Sequence, residues 1–252
     1  MKSKTKFTMI SLFKKKPNLV DLIPEGYIDI HSHILPNIDD GSQSTQETLL
    51  LLEQMSLLGI KKCIATPHTM PNVWDNSSDF IQETFLNTKN QLPKHLAEML
   101  HRVSSEYMMD ETFIERFQNE KLLMIKDTIV LVEMSYLNPS IDLKNILFQL
   151  QMKGYIPLLA HPERYLYYHN SKKEYFRLKE LGCLFQLNLL STVGYYGKSV
   201  TTVADYLLAN NLIDFVGSDI HHNRHIGAFY QRIKIKSQNE LIDVMNKNCQ
   251  LE

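Results

Sequence analysis

The stretch YIDIHSHILPNIDDG, residues 27–41, sets Asp29, His31 and His33 at alternate positions with Ile28 and Ile30 between them. Read as a strand, it carries a carboxylate and two imidazoles on one face and aliphatic side chains on the other. Imidazole with carboxylate is a donor set suited to zinc, manganese or iron. The same donors recur along the chain: His68 in CIATPH, Glu106 in SSE, Glu133 in IVLVE, His161 in LLAH, and Asp219 with His221 in VGSDIH. Thiolate does not join them, because Cys63, Cys183 and Cys249 are widely spaced and form no C-x-x-C pair. An odd, scattered cysteine set also argues against a disulfide framework and suits a reducing cytoplasm.

These donors share a position as well as a type, since each closes or follows a short apolar run. Strand candidates occupy residues 27–31, 61–66, 101–106, 128–133, 156–160, 183–188 and 213–218. Helical patterns lie between them. Ser44, Ser171 and Ser237 each open an S-x-x-E capping box, and Gly59, Gly154 and Gly182 stand where helices should end. Alternation of this kind implies an α/β fold of parallel strands joined by crossover helices, as an open doubly wound sheet or a closed barrel. The pattern alone does not separate these two. Metal-ligand types at the C-terminal end of strand after strand favour the barrel, whose strand ends converge on one mouth.

A chain of 252 residues with 44% hydrophobic content and a net charge of −1 is long enough for one large core. Residues 21–252 are read as one domain. The near-neutral balance offers no basic footprint for nucleic acid, so none is expected as a partner. Residues 1–20 are read as a basic, flexible, solvated tail, with Lys2, Lys4, Lys6 and Lys14 to Lys16 around an apolar run that ends at Phe13. That run is too short to span a bilayer or to serve as a signal segment, and no transmembrane segment is expected elsewhere. Weak contact of the tail with an anionic membrane surface is the other reading of those lysines.

In order, DIHSHILPNIDDG, ATPH, SEYMMD, VEMSY, LLAHPERY and GSDIHH resemble the PHP (polymerase and histidinol phosphatase) superfamily, and within it the CpsB/CapC family of bacterial tyrosine-protein phosphatases. The resemblance runs from about residue 23 to the C-terminal helix. It implies a distorted seven-stranded (β/α) barrel holding three divalent metals, manganese, iron or zinc. By motif, His31 and His33 would hold one metal with Asp219, Asp40 and His68 would serve the others, Glu133 would bridge two, and Glu106, His161 and His221 would complete the set. Turn chemistry explains Asp39 and Asp40 equally well, and only the family pattern selects Asp40. Ile28 and Ile30 are expected to pack outward against helices, and Asp29 to orient an imidazole from behind.

Clustered cations would activate water and offset phosphoryl charge, so a protein nucleophile is unnecessary. Cys63 and Cys183 indeed lack an arginine six positions on, which excludes the C-x5-R loop of cysteine-dependent phosphatases. Arg164, three residues past His161, is the candidate phosphate clamp, its competing role being an ion pair with Glu163 or another acid. Family members often carry a second arginine after the final D-x-H, and Arg224 is the nearest here. Tyr165, Tyr167, Tyr168, Tyr195 and Tyr196 are candidates for a rim that stacks on a phosphotyrosine ring. The resemblance implies a cytoplasmic phosphatase acting on a bacterial tyrosine kinase that controls capsular or extracellular polysaccharide export. A small-molecule phosphatase of the histidinol-phosphate type and a nonenzymatic metal-containing module are the alternatives.

Overall fold

The computed structural model describes residues 15–251; most of the expected tail, residues 1–14, lies outside that range. The packed chain starts earlier than the boundary expected at residue 20. Leu19 and Val20 donate backbone hydrogen bonds to Gln231 and Phe229, and Ile233 donates to Pro17.

Nine strand segments alternate with nine α-helices among the described residues. In chain order the strands are β1 (Ile28–Asp29), β2 (Lys62–Ala65), β3 (His68–Thr69), β4 (Leu100–Val103), β5 (Glu106–Met108), β6 (Ile129–Glu133), β7 (Ile156–Ala160), β8 (Leu184–Asn188) and β9 (Phe215–Gly217). The helices that bear on the argument are α1 (Thr45–Leu57), α2 (Ser78–Gln91), α6 (Lys173–Glu180), α7 (Lys198–Ala209), α8 (Asn223–Ala228) and α9 (Gln238–Asn248). All strand pairings are parallel, in one sheet of order β1-β2-β4 and another of order β3-β5-β6-β7-β8-β9. Each expected strand is present, with two departures. The stretch 101–106 is broken at Ser104 and Ser105, and β3 is a segment that the sequence pattern does not suggest. Across both breaks the chains stay in register, since Ser104 donates to the Ala65 carbonyl and Glu106 to that of Pro67. The break occurs where hydroxyls take over: Ser104 Oγ bonds the Leu123 carbonyl and Ser105 Oγ that of Pro67.

Of the three capping boxes, the first caps its helix. Ser44 Oγ accepts from Glu47 N at the start of α1, while the Glu47 carboxylate takes Gln43 N. Ser171 contributes only its carbonyl, to Glu174 N, and Ser237 turns its hydroxyl to the Asp205 carbonyl. Ser77, outside the three boxes, caps α2 through Phe80 N. Gly59, Gly154 and Gly182 adopt the left-handed conformation anticipated at helix ends.

Two apolar clusters divide the interior. The larger packs strands against helices. The smaller joins Ile28, Ile30, Ile64, Leu131, Leu158 and Ala160 from the strands and their ends with Ile125 and Leu251. Ile28 and Ile30 therefore face the strand-built cluster and not the helices. Regular pairing in β1 ends at Asp29, so the expected alternation does not extend to His31. Full burial of each aliphatic side chain contributes about 1.5–3 kcal/mol, and the inner cluster forms a dry floor. On β6, Leu131 belongs to that floor while Glu133, two residues further along the same face, belongs to the polar assembly above it.

Hydrogen bonds also join the first strand to the last. Asp219 N donates to the His31 carbonyl at 2.8 Å, His33 N to that of Ile220 at 2.9 Å, and Ser32 bridges Ile220 in parallel. Asp29 serves this seam, and the hydrogen bond behind the His31 ring comes from Gln186 instead. The two oxygens of Asp29 accept from Ser218 N and Ser218 Oγ, and burial pushes its pKa up to about 6. Asp29→Ala would leave the buried Ser218 N–H without its partner, at a cost of about 1–3 kcal/mol. Urea unfolding should show that loss as a lower midpoint with unchanged slope.

Candidate metal centre

The nine residues singled out as ligands, His31, His33, Asp40, His68, Glu106, Glu133, His161, Asp219 and His221, are brought together: Glu133 closes β6, His31, His161 and Asp219 follow β1, β7 and β9, and His68 and Glu106 open β3 and β5. His31 and His33 turn their Nε2 atoms toward each other at 3.1 Å. Glu106 Oε2 lies 3.2 Å from the first and 3.3 Å from the second, and Asp219 Oδ1 lies 3.4 Å from both. Beside this set, His68 Nδ1 stands 2.9 Å from Glu133 Oε1 and 3.2 Å from Glu106 Oε2. His161 Nε2 reaches Glu106 Oε1 at 3.0 Å. Toward solvent, Asp40 Oδ1 is 3.4 Å from His221 Nε2 and 3.7 Å from His68 Nε2.

These residues fit divalent cations on three grounds. Tetrahedral ligands with bonds of about 2.1 Å sit roughly 3.4 Å apart, which is the spacing between donors here. Donor atoms fall into four mutually close groups that share His31, His33, His68 and Glu106, as expected of neighbouring ions with common walls. Finally, His68 Nδ1, Glu106 Oε2 and Glu133 Oε1 are buried without a hydrogen-bond partner, a costly state unless something else satisfies them.

The imidazoles are aimed from behind. His31 Nδ1 bonds Gln186 Oε1 at 2.8 Å and His33 Nδ1 bonds Asp39 Oδ2 at 2.7 Å, which leaves each Nε2 facing the centre. Asp39 is buried and also accepts from Gly41 N and His68 N, whereas Asp40 stands half exposed at the mouth. Backbone geometry adds to the aim. His161 (φ 35°) and Asp219 (φ 53°) adopt the left-handed region, which costs a non-glycine residue about 1–3 kcal/mol and persists only where surroundings enforce it. Gly217 is needed because a Cβ there would lie 2.6 Å from His31 Cβ and 2.8 Å from Gln186 Nε2.

Protonation reflects the crowding. Burial disfavours charge on His33 and His68, but Asp39 and Glu133 respectively override it, raising His33 well above its ordinary value and His68 to about 9. Burial would lift Glu106 and Asp219, yet His31 beside both holds them well below the carboxylate range. Burial and repulsion from Glu106 raise Glu133. Protons on imidazole thus balance buried carboxylates wherever cations do not.

Above the cluster opens a cavity of about 250 Å³. Arg164 lines it, held by a 2.8 Å bond from Nη1 to Asp219 Oδ2 and flanked by the rings of Tyr136 and Tyr196 at 4.8 and 4.2 Å. Its acid partner is thus Asp219, not Glu163. Glu163 is buried beneath, accepting from Asn188 N and Ser191 Oγ. Arg224 is exposed on α8 and does not line the cavity; His222 and His225 do. His221 N donates to His225 Nδ1, so the neutral His225 ring carries its proton on Nε2. Of the five tyrosines considered for the rim, Tyr196 lines the cavity. Tyr165 is buried and accepts from Met134 N, Tyr167 bonds the Ser135 carbonyl, Tyr168 is buried, and Tyr195 packs edge-on against His225.

Sequence reasoning misses Tyr136, Gln186, Asn188, His222 and His225. Gln186 and Asn188 leave a signal, as amides on the inward face of an otherwise apolar strand, LFQLN. Tyr136 closes the quoted VEMSY motif without a spacing that marks it for the rim, and His225 leaves no signal, because only folding brings them to the mouth.

Parallel strands that deliver imidazoles and carboxylates to one end define an α/β protein with a candidate polynuclear metal centre. The chain belongs to the CpsB/CapC family, described as "Capsular polysaccharide synthesis, CpsB/CapC", whose model matches residues 27–238. It is 30% identical over 233 residues to the tyrosine-protein phosphatase YwqE of Bacillus subtilis, covering 89% of this chain and 90% of that one. With the tyrosine-protein phosphatase CpsB of Streptococcus pneumoniae it shares 28% identity over 204 residues, 77% of this chain and 83% of the relative. A crystal structure from work on YwqE and S. pneumoniae CpsB, described there as metal-dependent tyrosine phosphatases, superposes with a TM-score of 0.72 at 28% identity, covering 87% of this chain and 86% of that one.

Elemental analysis of the purified protein should find more than one divalent transition metal per chain. Loading a chelated sample should release protons, and affinity should fall as pH drops, because imidazoles held protonated by their carboxylates must give up those protons first. Proton release is measured by calorimetry in buffers of different ionisation enthalpy. Glu133→Gln keeps the side chain's shape but removes its charge, and it should lower both metal content and activity; full retention of both would remove Glu133 from the ligand set.

Proposed function

We propose that this chain is a cytoplasmic, metal-dependent protein-tyrosine phosphatase that acts on a phosphotyrosyl bacterial tyrosine kinase linked to capsular or extracellular polysaccharide synthesis and export. The observation that carries the reading is a guanidinium fixed at the edge of a nine-residue ligand cluster, inside a cavity with an aromatic rim. Sequence likeness to tyrosine-protein phosphatases over most of the chain supports the substrate class.

In this reading three divalent ions, manganese, iron or zinc, would be held by His31, His33, Asp40, His68, Glu106, Glu133, His161, Asp219 and His221; Glu106, and not Glu133, is the carboxylate common to two of the donor groups. When bound, such cations acidify water and offset charge on phosphoryl oxygens. The chain's own groups do the rest. Arg164 presents a planar fork to the phosphate, and the two tyrosine rings limit its swing. His225, in place of Arg224, offers Nε2–H from the opposite wall. A phenolate leaving group, with a pKa of about 10, departs with less help from an acid than an alkoxide would, which favours aryl phosphates. The nine strand segments are read as seven staves of a distorted barrel, with β2 continued by β3, β4 continued by β5, and the seam between Ser32 and Ile220 closing it.

Turnover of a phosphotyrosyl kinase tail and of histidinol phosphate, compared after reconstitution with each metal, tests the proposal; preference for histidinol phosphate would overturn the substrate assignment. Arg164→Ala should leave metal content intact and lower kcat/KM by about two orders of magnitude, the usual effect of losing one charge-assisted clamp. Arg164→Lys should recover only part of that, because it restores a point charge without the fork. Wild-type turnover by Arg164→Ala would remove the clamp.

A further inference from the structure

The loop after β8 holds a second donor against Arg164. Asn188 closes that strand, and its side-chain amide has a fixed orientation, because Oδ1 accepts from Leu190 N while Nδ2 donates to Asp219 Oδ2 at 2.8 Å. Nδ2 also donates to Tyr196 Oη at 3.1 Å. An amide nitrogen cannot accept, so Tyr196 Oη is the acceptor in this bond and its own proton is left to point elsewhere. Among the described residues Asn188 is the one hydrogen-bond partner of that hydroxyl, and Tyr196 lines the cavity.

The ring that carries the hydroxyl is held on several sides. A hydrogen bond from Gly197 N to the Gly194 carbonyl closes a turn around Tyr195 and Tyr196, and Tyr195 packs edge-on against the Tyr196 ring at 5.1 Å. One face of that ring lies on the Arg164 guanidinium, whose Cζ is 4.2 Å from the ring centroid. Arg164 Nη1 in turn donates to Asp219 Oδ2, the oxygen that Asn188 also serves. A single carboxylate oxygen therefore ties the guanidinium to the amide that turns the hydroxyl. A phenol, with an ordinary pKa of about 10, keeps its proton at neutral pH. A neutral donor held beside a fixed cation before an oxyanion arrives needs no reorganisation to stabilise its charge.

We propose that the Tyr196 hydroxyl is a further catalytic group of this cavity, donating a hydrogen bond to a non-bridging oxygen of the phosphoryl group that Arg164 holds. The role rests on the reading of the cavity as a phosphomonoester site. Tyr196 transfers no proton; phosphoryl transfer spreads charge over the equatorial oxygens, and a fixed donor stabilises it there. Tyr196 thus does two things with two parts of one side chain, the ring restraining Arg164 and the hydroxyl sharing its ligand.

Tyr196→Phe in the full-length, metal-loaded protein tests it, since the ring stays on Arg164 and only the hydroxyl is lost. Against a phosphotyrosyl peptide, kcat/KM should fall about ten- to a hundredfold, the usual worth of a neutral donor on a charged acceptor. The same factor should apply to p-nitrophenyl phosphate and to phenyl phosphate, whose leaving groups differ in basicity. Calorimetry should show inorganic phosphate binding more weakly to the variant, a readout that needs no turnover, and metal content should be unchanged. Unchanged kcat/KM or unchanged phosphate affinity would overturn the donor role while leaving the phosphatase reading in place. A loss that grows with the basicity of the leaving group would make Tyr196 an acid for the phenolate and overturn its assignment to the phosphoryl oxygen. Loss of metal from the variant would make the hydroxyl a support of the ligand cluster and overturn it equally. Wild-type protein that neither hydrolyses the peptide nor binds phosphate would overturn the phosphatase reading and this role together.

Discussion

Everything at the strand ends depends on one electrostatic constraint: Glu106, Glu133 and Asp219 are buried together with a single guanidinium, Arg164, to oppose them. Unbalanced buried charge costs several kcal/mol per ion. The chain balances it with protons on His33 and His68, or with cations that the same donors would hold. Both solutions need imidazole, which is neutral enough to enter a core and basic enough to take either charge. This explains why histidine alternates with carboxylate at the site and why lysine, a fixed cation on a long stem, lines none of it.

Rigid support follows from the same constraint. A donor set this dense works only if each side chain is aimed, and the aim comes from neighbours outside the ligand set, with Gln186 on His31, Asp39 on His33 and Asn188 on Asp219. Two of these lie on β8, whose inner face is apolar at Leu184 and polar beyond it, above the dry cluster of Ile28, Ile64 and Leu158. The seam between first and last strands serves the same end. His31 and Asp219 approach from opposite ends of the sequence, and the bonds of Asp29 to Ser218 fix their separation.

Much of this is legible in the sequence, for a physical reason. A single imidazole or carboxylate at a strand end is more often structural, and what makes the ligands legible is their repetition at or shortly after one strand candidate after another; Asp40 is selected by the family pattern only. Direction and register are less legible. Ile28 and Ile30 point to the helix side only if strict alternation carries on to His31, whereas both join the strand-built apolar cluster while His31 joins the ligand set. The expected place of Asp29 behind an imidazole is taken by Gln186, because the oxygens of Asp29 accept from Ser218. Arg224 is an arginine near a ligand, and its sequence position suggests the mouth, but α8 presents His225 there and leaves Arg224 in solvent. A short helix rotates the choice by about 100° per position, and sequence spacing gives no phase for so short an element.

The division of labour within Asp219 ties the cluster to the cavity. Its Oδ1 faces His31, His33 and His221, while its Oδ2 accepts from Arg164 and from Asn188. One carboxylate thus has one oxygen inside the ligand set and one on the guanidinium that looks outward. Arg164 cannot drift from the cluster without breaking a partly buried charge-assisted bond, a class of interaction about twice as strong as a neutral hydrogen bond. Tyr136 and Tyr196 restrict it in the remaining direction by packing on its faces. The guanidinium is therefore tied to the donors of His31 and His33 through a single residue just past the last strand.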